Sequence, residues 1–324
     1  MRRPRPLRDI LVALCACLAM ALAAPAQAAP DIDARRVILA LWDKNAEDGG
    51  IRLAKIHQLA EMPLNYLGLD VRFHEIHDPL PALSEMADVR GVLTWFASND
   101  AEDPEKFLRW SEEVVDSGRR FVIVNFVGFE EDRAGRPVGL DRLNRFTQKI
   151  GFTLKPEWTS LTYRWEEGYA DPAMIGYEYP LPKVLPAFQR VVPSTADAHS
   201  YLILRQRDDP DVESHLVITT PRGGYIALDY SNYYDSRTFR RRWIVDPFKF
   251  FREAFATDEL PKPDTTTLSG RRIYYSHIDG DGWRNVTTVE AYQDVGRLVL
   301  SSEVTLKELL APYPDLPSTV GPIV

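Results

Sequence analysis

The sequence predicts an α/β protein whose larger part is an open, mainly parallel sheet with helices on both faces. Three observations predict it. Continuous apolar runs of strand length recur along the chain, beginning with Val37-Ile38-Leu39-Ala40-Leu41-Trp42. Amphipathic helical segments separate them, and strands buried on both faces between helical crossovers make a parallel sheet. The composition, 45% hydrophobic and 27% charged over 324 residues, is globular and supplies material for more than one core.

The elements follow in order. After the run at 37–42, Asp48-Gly49-Gly50 opens a helical pattern with Ile51, Leu53, Ile56, Leu59 and Ala60 on one face. Residues 69–76 and 91–96 read as the second and third strands. Asp103 caps the next helix, Pro104 suits its first turn and Glu102 and Glu105 favour its dipole. Phe107, Leu108, Val114 and Val115 form its apolar face, and Ser117-Gly118 ends it. Residues 121–127 are a fourth strand, and 140–150 an amphipathic helix stopped by Gly151. Beyond residue 152 the pattern turns towards strand. Residues 200–205, 214–219 and 225–230 are β-like, with Pro221-Arg222-Gly223-Gly224 as the turn between the last two, and Asp246-Pro247 opens a helix through Phe255.

Residues 1–28 read as a leader. Arg2, Arg3, Arg5 and Arg8 precede a nearly uninterrupted apolar run at 10–24, followed by Pro25 and a small-x-small site, Ala26-Gln27-Ala28. This is the three-part secretory pattern, and the run is short of the roughly 20 residues a spanning helix needs. The expectation is cleavage, no transmembrane anchor afterwards, and a periplasmic or secreted protein. Both cysteines, Cys15 and Cys17, leave with the leader, so no disulfide, thiolate nucleophile or cysteine-ligated metal is expected. The leader carries four arginines against Asp9, net +3, so the chain without it stands at −11 rather than −8. That acidity disfavours nucleic acid as a partner.

Residues 29–259 read as a flavodoxin-like domain with a β-rich insertion, and its outline resembles the glutamine-amidotransferase-like fold. That resemblance implies a cysteine nucleophile, which the mature chain lacks, so the domain reads as non-catalytic. No G-x-G-x-x-G follows the first strand, so a dinucleotide has no phosphate cradle. His74 and His77 are three apart, and on a strand such positions face opposite sides, which argues against a shared metal. His57, His199 and His215 read as surface or structural. Trp95, Trp110, Trp158, Trp165 and Trp243 read as core, with a sugar-stacking face as the alternative. Arg240-Arg241-Arg242 reads as a solvated charge run, with an anion site as the alternative.

Residues 260–270, rich in proline and threonine, form a stiff polar connector. Then comes Ser276-His277-Ile278-Asp279-Gly280-Asp281-Gly282-Trp283, a strand ending in a glycine-flanked pair of aspartates. Carboxylates at the carboxyl end of a barrel strand stand where barrel enzymes do chemistry, and the glycines permit a tight turn and close approach of a substrate. A divalent metal could take one carboxylate and leave the other as a base. A calcium loop is one alternative, since Asp279, Asp281 and Glu290 occupy positions 1, 3 and 12. However, Trp283 stands at position 5, Arg284 stands at the required glycine and a strand precedes. A plain Asp-Gly turn is the other alternative.

The motif after its short strand resembles the opening of the deacetylase domain in the Pel exopolysaccharide modification proteins, which are similar to NodB-type polysaccharide deacetylases with a distorted (β/α) barrel. Residues 302–310 and 316–321 resemble that family's next helix and second strand. The resemblance implies metal-dependent removal of N-acetyl groups from a hexosamine polysaccharide. Asp279 would be the catalytic base and Asp281 the ligand of a divalent metal, zinc in the first instance, while His277 and Trp283 would line the substrate site. Other exopolysaccharide export proteins would be partners. The family completes its metal site with a downstream His-x-x-x-His pair, and this chain has no histidine after His277. The expectation is therefore that 271–324 is the first strand–helix–strand of an incomplete deacetylase barrel, inactive as this chain. The rival expectation is a non-catalytic carbohydrate- or partner-binding scaffold.

Overall fold

The computed structural model describes residues 33–45, 50–97, 103–132, 134–260, 262, 267–268, 271–272, 276–293 and 296–322. The expected leader with Cys15 and Cys17, Asp48-Gly49 of the expected helix start, and most of the expected connector lie outside the described residues. The chain forms two compact units, residues 1–262 and 263–324.

The larger unit is built on an eight-stranded sheet. Strand β1 (Val37–Trp42), apolar throughout and second from one edge, pairs in parallel with β2 (Asp70–Glu75) and β3 (Val89–Thr94). Strand β4 (Arg120–Val124) continues the parallel set beside β3. A second sheet of two strands pairs β5 (Phe152–Thr159) with β7 (Phe188–Pro193). The main sheet is completed by β6 (Trp165–Ala170), β8 (His199–Gln206), β9 (Glu213–Thr220) and β10 (Gly223–Ile226), in the order β2-β1-β3-β4-β10-β9-β8-β6. Thus β10 runs parallel to β4 but antiparallel to β9, and the sheet changes character at that strand. The strand order reverses between β1 and β3, the place where open α/β sheets hold ligands at the carboxyl ends of their strands.

Helices α1 (Glu61–Tyr66), α2 (Pro104–Asp116) and α3 (Leu140–Ile150) precede the β-rich region, and α4 (Pro247–Ala254) follows it. Asp103 caps α2 by accepting from the Lys106 amide at 3.0 Å, and Phe107, Leu108, Trp110, Val114 and Val115 are buried. Arg142 of α3 ties to α2 through Glu105 at 2.9 Å and Glu112 at 2.5 Å. No helix among the described residues is long and apolar enough to cross a membrane.

Two local expectations need correction. The helical face read from Ile51 to Ala60 does not form as one stripe. A tight turn at Ile51–Leu53 ends at Ala54, whose ψ of 134° breaks the phase, so Ile56 and Ala60 are buried while Ile51 and Leu53 are exposed. The turn read at 221–224 is confined to Pro221-Arg222. Gly223 begins β10 with φ of 142°, and a Cβ there would lie 1.8 Å from the Phe121 carbonyl oxygen, so a glycine is needed for the backbones to approach.

Arg90, 3% exposed at the start of β3, holds the two ends of this unit together. It donates to the carbonyls of Asp33 at 2.5 Å, Arg35 at 3.1 Å and Phe255 at 2.5 Å, and to that of Ala256. Burial pulls its guanidinium down to about 10, still charged at neutral pH.

The hairpin β11 (Asn232–Asp235) and β12 (Arg240–Trp243) belongs to the larger unit. The smaller unit begins with a short antiparallel pair, β13 (Thr267–Leu268) and β14 (Arg271–Arg272). Its main feature is β15 (Ser276–Gly280) paired in parallel with β16 (Ser318–Pro322), with α5 (Ser301–Thr305) and a wider helical turn at Leu306–Leu310 between them. A parallel pair needs such a crossover.

Candidate functional site

The expected site residues lie at the end of β15. The strand alternates, with Ser276 and Ile278 half-buried and His277 and Asp279 exposed, so the histidine and the first aspartate share a face. The His277 ring Nδ1 is 2.8 Å from Thr319 Oγ1 on β16, its register partner. Asp279 Oδ1 accepts from the Gly280 amide at 2.7 Å. Asp281 stands past the strand end, exposed, in a turn where Gly282 has φ of 79°. Trp283 is half-buried, its amide donating to the Gly280 carbonyl at 3.1 Å and its carbonyl accepting from the Ser302 amide at 3.2 Å. His277, Asp279 and Asp281 therefore sit close in sequence without forming a three-donor group. Among the described residues, the one set of three whose donor atoms all approach within 4.8 Å is elsewhere: Asp43, Glu75 and His77.

That set is assembled by the register of β1 on β2, which pairs Trp42 with Glu75 and so brings Asp43 beside the segment that follows β2. His77 Nε2 is 3.1 Å from Asp43 Oδ1 and 3.9 Å from Glu75 Oε1. Both carboxylates are only 8% exposed. Backbone amides orient them: Asn45 donates to Asp43 at 2.7 Å, and His77 and Lys44 donate to Glu75 at 3.1 and 3.4 Å. The exposed Lys44 ammonium lies 3.3 Å from Glu75 Oε2. His77 also lines a cavity of about 180 Å³ with Pro79, Leu80 and, from the start of α2, Asp103, Lys106 and Phe107.

His74 is not part of this set. Strand β2 ends at Glu75, so alternation along the strand does not govern where His77 points. The signal was present in the sequence as an acidic residue directly after the first strand and Glu-x-His at the end of the second, both at carboxyl ends of adjacent parallel strands.

The remaining histidines have local partners. His57 contacts Glu61 one turn on, His215 Nδ1 is 2.8 Å from Ser200 Oγ, and His199 packs on the Tyr201 ring at 4.4 Å. Burial lowers the His215 pKa. Trp95, Trp110, Trp165 and Trp243 are core, whereas Trp158 is 48% exposed. The arginine run lies on β12, where Arg242 meets Asp235 at 3.3 Å and Arg241 stands 5.0 Å over the Tyr234 ring. A larger cavity, about 610 Å³, is lined by Tyr163, Trp165, Glu167, Lys183, Val184 and Arg207. In comparisons with known proteins, the chain matches no family model and no curated protein, so the functional reading rests on its residues and their geometry.

Proposed function

We propose that residues 271–324 open the catalytic domain of an exported deacetylase that removes acetyl groups from an N-acetylhexosamine polysaccharide. The larger unit would be a flavodoxin-like, non-catalytic domain in front of it. The observation supporting this reading is the β15–α5–β16 arrangement. A parallel strand pair is joined by a helical crossover, and the Asp279-Gly280-Asp281-Gly282 turn leaves the carboxyl end of its first strand. That is the position at which barrel enzymes present catalytic groups. The leader at 1–28 supports a periplasmic or secreted location.

In this reading Asp279, solvent-facing at the strand end, takes the proton of the water that attacks the acetamide carbonyl. Asp279 then returns that proton to the amide nitrogen as the C–N bond breaks, giving acetate and a free amine. His277, bridged to Thr319, flanks the sugar, and Trp283 borders it. The reading assigns Asp281 to a divalent metal, zinc in the first instance. The described residues of this unit do not gather a metal-holding set.

Acetate release from acetylated hexosamine oligosaccharides, with zinc added, tests the reading. Protein carrying the whole of the domain that residues 271–324 open is expected to release acetate and to lose at least ~100-fold on Asp279→Asn. Residues 29–324 alone, with no histidine after His277, are expected to release none. Turnover by the whole-domain protein that survives both Asp279→Asn and Asp281→Asn would overturn the proposal.

A second reading, a carbohydrate-binding scaffold, is favoured by the cavity of about 610 Å³, where Tyr163 is 73% exposed beside charged residues able to meet sugar hydroxyls. Saturable oligosaccharide binding by protein that releases no acetate would select it.

A further inference from the structure

We infer that Asp43, Glu75 and His77 form a binding site for a divalent transition-metal cation in the larger unit, independent of the aspartates at 279 and 281. The first argument is chemical. Two carboxylates and one imidazole are a donor set suited to zinc or its neighbours in the first transition row, with exchangeable positions left for water or a ligand.

The second argument is distance. Two donors held about 2.0–2.1 Å from a tetrahedral zinc are roughly 3.3–3.4 Å apart. His77 Nε2 already lies 3.1 Å from Asp43 and 3.9 Å from Glu75, on either side of that value, and all three donor atoms fall within 4.8 Å. Only small side-chain adjustments separate this arrangement from a chelating one.

The third argument is charge. Two carboxylates more than nine-tenths buried and this close repel each other, and withdrawing them from water is costly without compensation. The Lys44 ammonium, largely solvent-facing, meets only Glu75 among the two. A dication between the carboxylates and the imidazole compensates both.

The fourth argument is orientation and access. Amides of Lys44, Asn45 and His77 hold the carboxylates by one side, the outer-shell support that metal-ligating carboxylates use. The set stands at the carboxyl ends of β1 and β2, next to the point where strand order reverses. His77 also borders the cavity of about 180 Å³, which gives a cation and a small ligand a route to the imidazole.

The test is a Zn²⁺ titration by calorimetry on chelator-stripped protein carrying Asp279→Asn and Asp281→Asn, so that the aspartates of the smaller unit cannot contribute. One Zn²⁺ per chain is expected, with affinity falling at least ~100-fold in His77→Ala and Asp43→Asn added to that background. Circular dichroism checks that each variant is folded. Should His77→Ala not fold, Glu75→Gln takes its place, and X-ray absorption of the zinc-loaded parent must show oxygen and nitrogen ligands including one imidazole. No uptake by the folded parent, uptake undiminished in the folded variants, or bound zinc without an imidazole would each overturn the inference. Because the deacetylase reading is measured by acetate release from protein with Asp279 and Asp281 intact, either proposal can fail without the other.

Discussion

The chain carries two clusters built from the same chemistry, and they differ in how they are held. At 277–281 a histidine and two aspartates lie within five residues at the end of a parallel strand, yet the histidine and both aspartates are exposed and their donors stay apart. At Asp43, Glu75 and His77 the residues are separated by up to 34 positions, yet the carboxylates are buried and all three donors converge. The first set lies along an exposed strand and the turn after it, where His277 meets Thr319 and Asp279 the Gly280 amide rather than each other. The packed sheet forced the second set together. A dense motif is therefore weaker grounds for a chelating site than a register that brings side chains from two strands to one edge.

That contrast can be broken first at Arg90, since the convergence in the larger unit depends on its sheet. Arg90→Ala strips the donors from four carbonyls at once and is expected to cost about 3 kcal/mol or more. Urea denaturation should show the loss. An effect below 1 kcal/mol on the roughly 1.4 kcal/mol-per-decade scale would mean that the strand register does not need this clamp.

A smaller effect comes from Asp33 at the same clamp. Its hydrogen bond from Arg35, with Arg90 nearby, holds its carboxyl down at about 2, below the usual 3.8. A depressed carboxylate contributes stability that is present above pH 3.8 and is lost as pH falls through about 2. Since Asp33 is only half-buried and partly screened by solvent, its contribution is about 1 kcal/mol. Asp33→Asn should therefore lower the urea midpoint at neutral pH, with the gap to the parent closing in acid. A gap that widens in acid would refute the assignment.

The smallest effect sharpens the comparison from the other side. Thr319→Val removes the hydroxyl partner of His277 at an exposed position, and about 0.5 kcal/mol or less is expected. The histidine ring resonances of His277 should shift in NMR spectra while those of His77 do not. A shift at His77 would show that the two sites are coupled.

Much of the fold was legible locally. The apolar run at 37–42 is strand β1, and Asp103-Pro104 with its apolar spacing is α2. The helix at 140–150 stops at Gly151 as its sequence implies. The β-rich character beyond 152 was legible too, but the antiparallel partners of its strands were not. Nothing local shows that Gly223–Ile226 inserts parallel to β4, because the fit depends on the Phe121 backbone, 102 residues away in the chain. For the candidate site, the Asp-Gly-Asp-Gly turn and the shared face of His277 and Asp279 could be read from alternation. Of the Asp43–Glu75–His77 set only the residue types at the two strand ends are legible, because their convergence depends on the register of β1 on β2 and on β2 ending two residues before His77.

Hydrophobic period, capping residues and turn glycines act over a few residues, so the sequence alone was enough to mark most of the strands and helices and a conspicuous acidic turn. Strand order, the parallel-to-antiparallel change at β10, the Arg90 clamp and the convergence of Asp43, Glu75 and His77 depend on contacts between segments tens to more than a hundred residues apart. Those contacts are chosen by packing of the whole sheet, which is why they emerge only when the chain is folded.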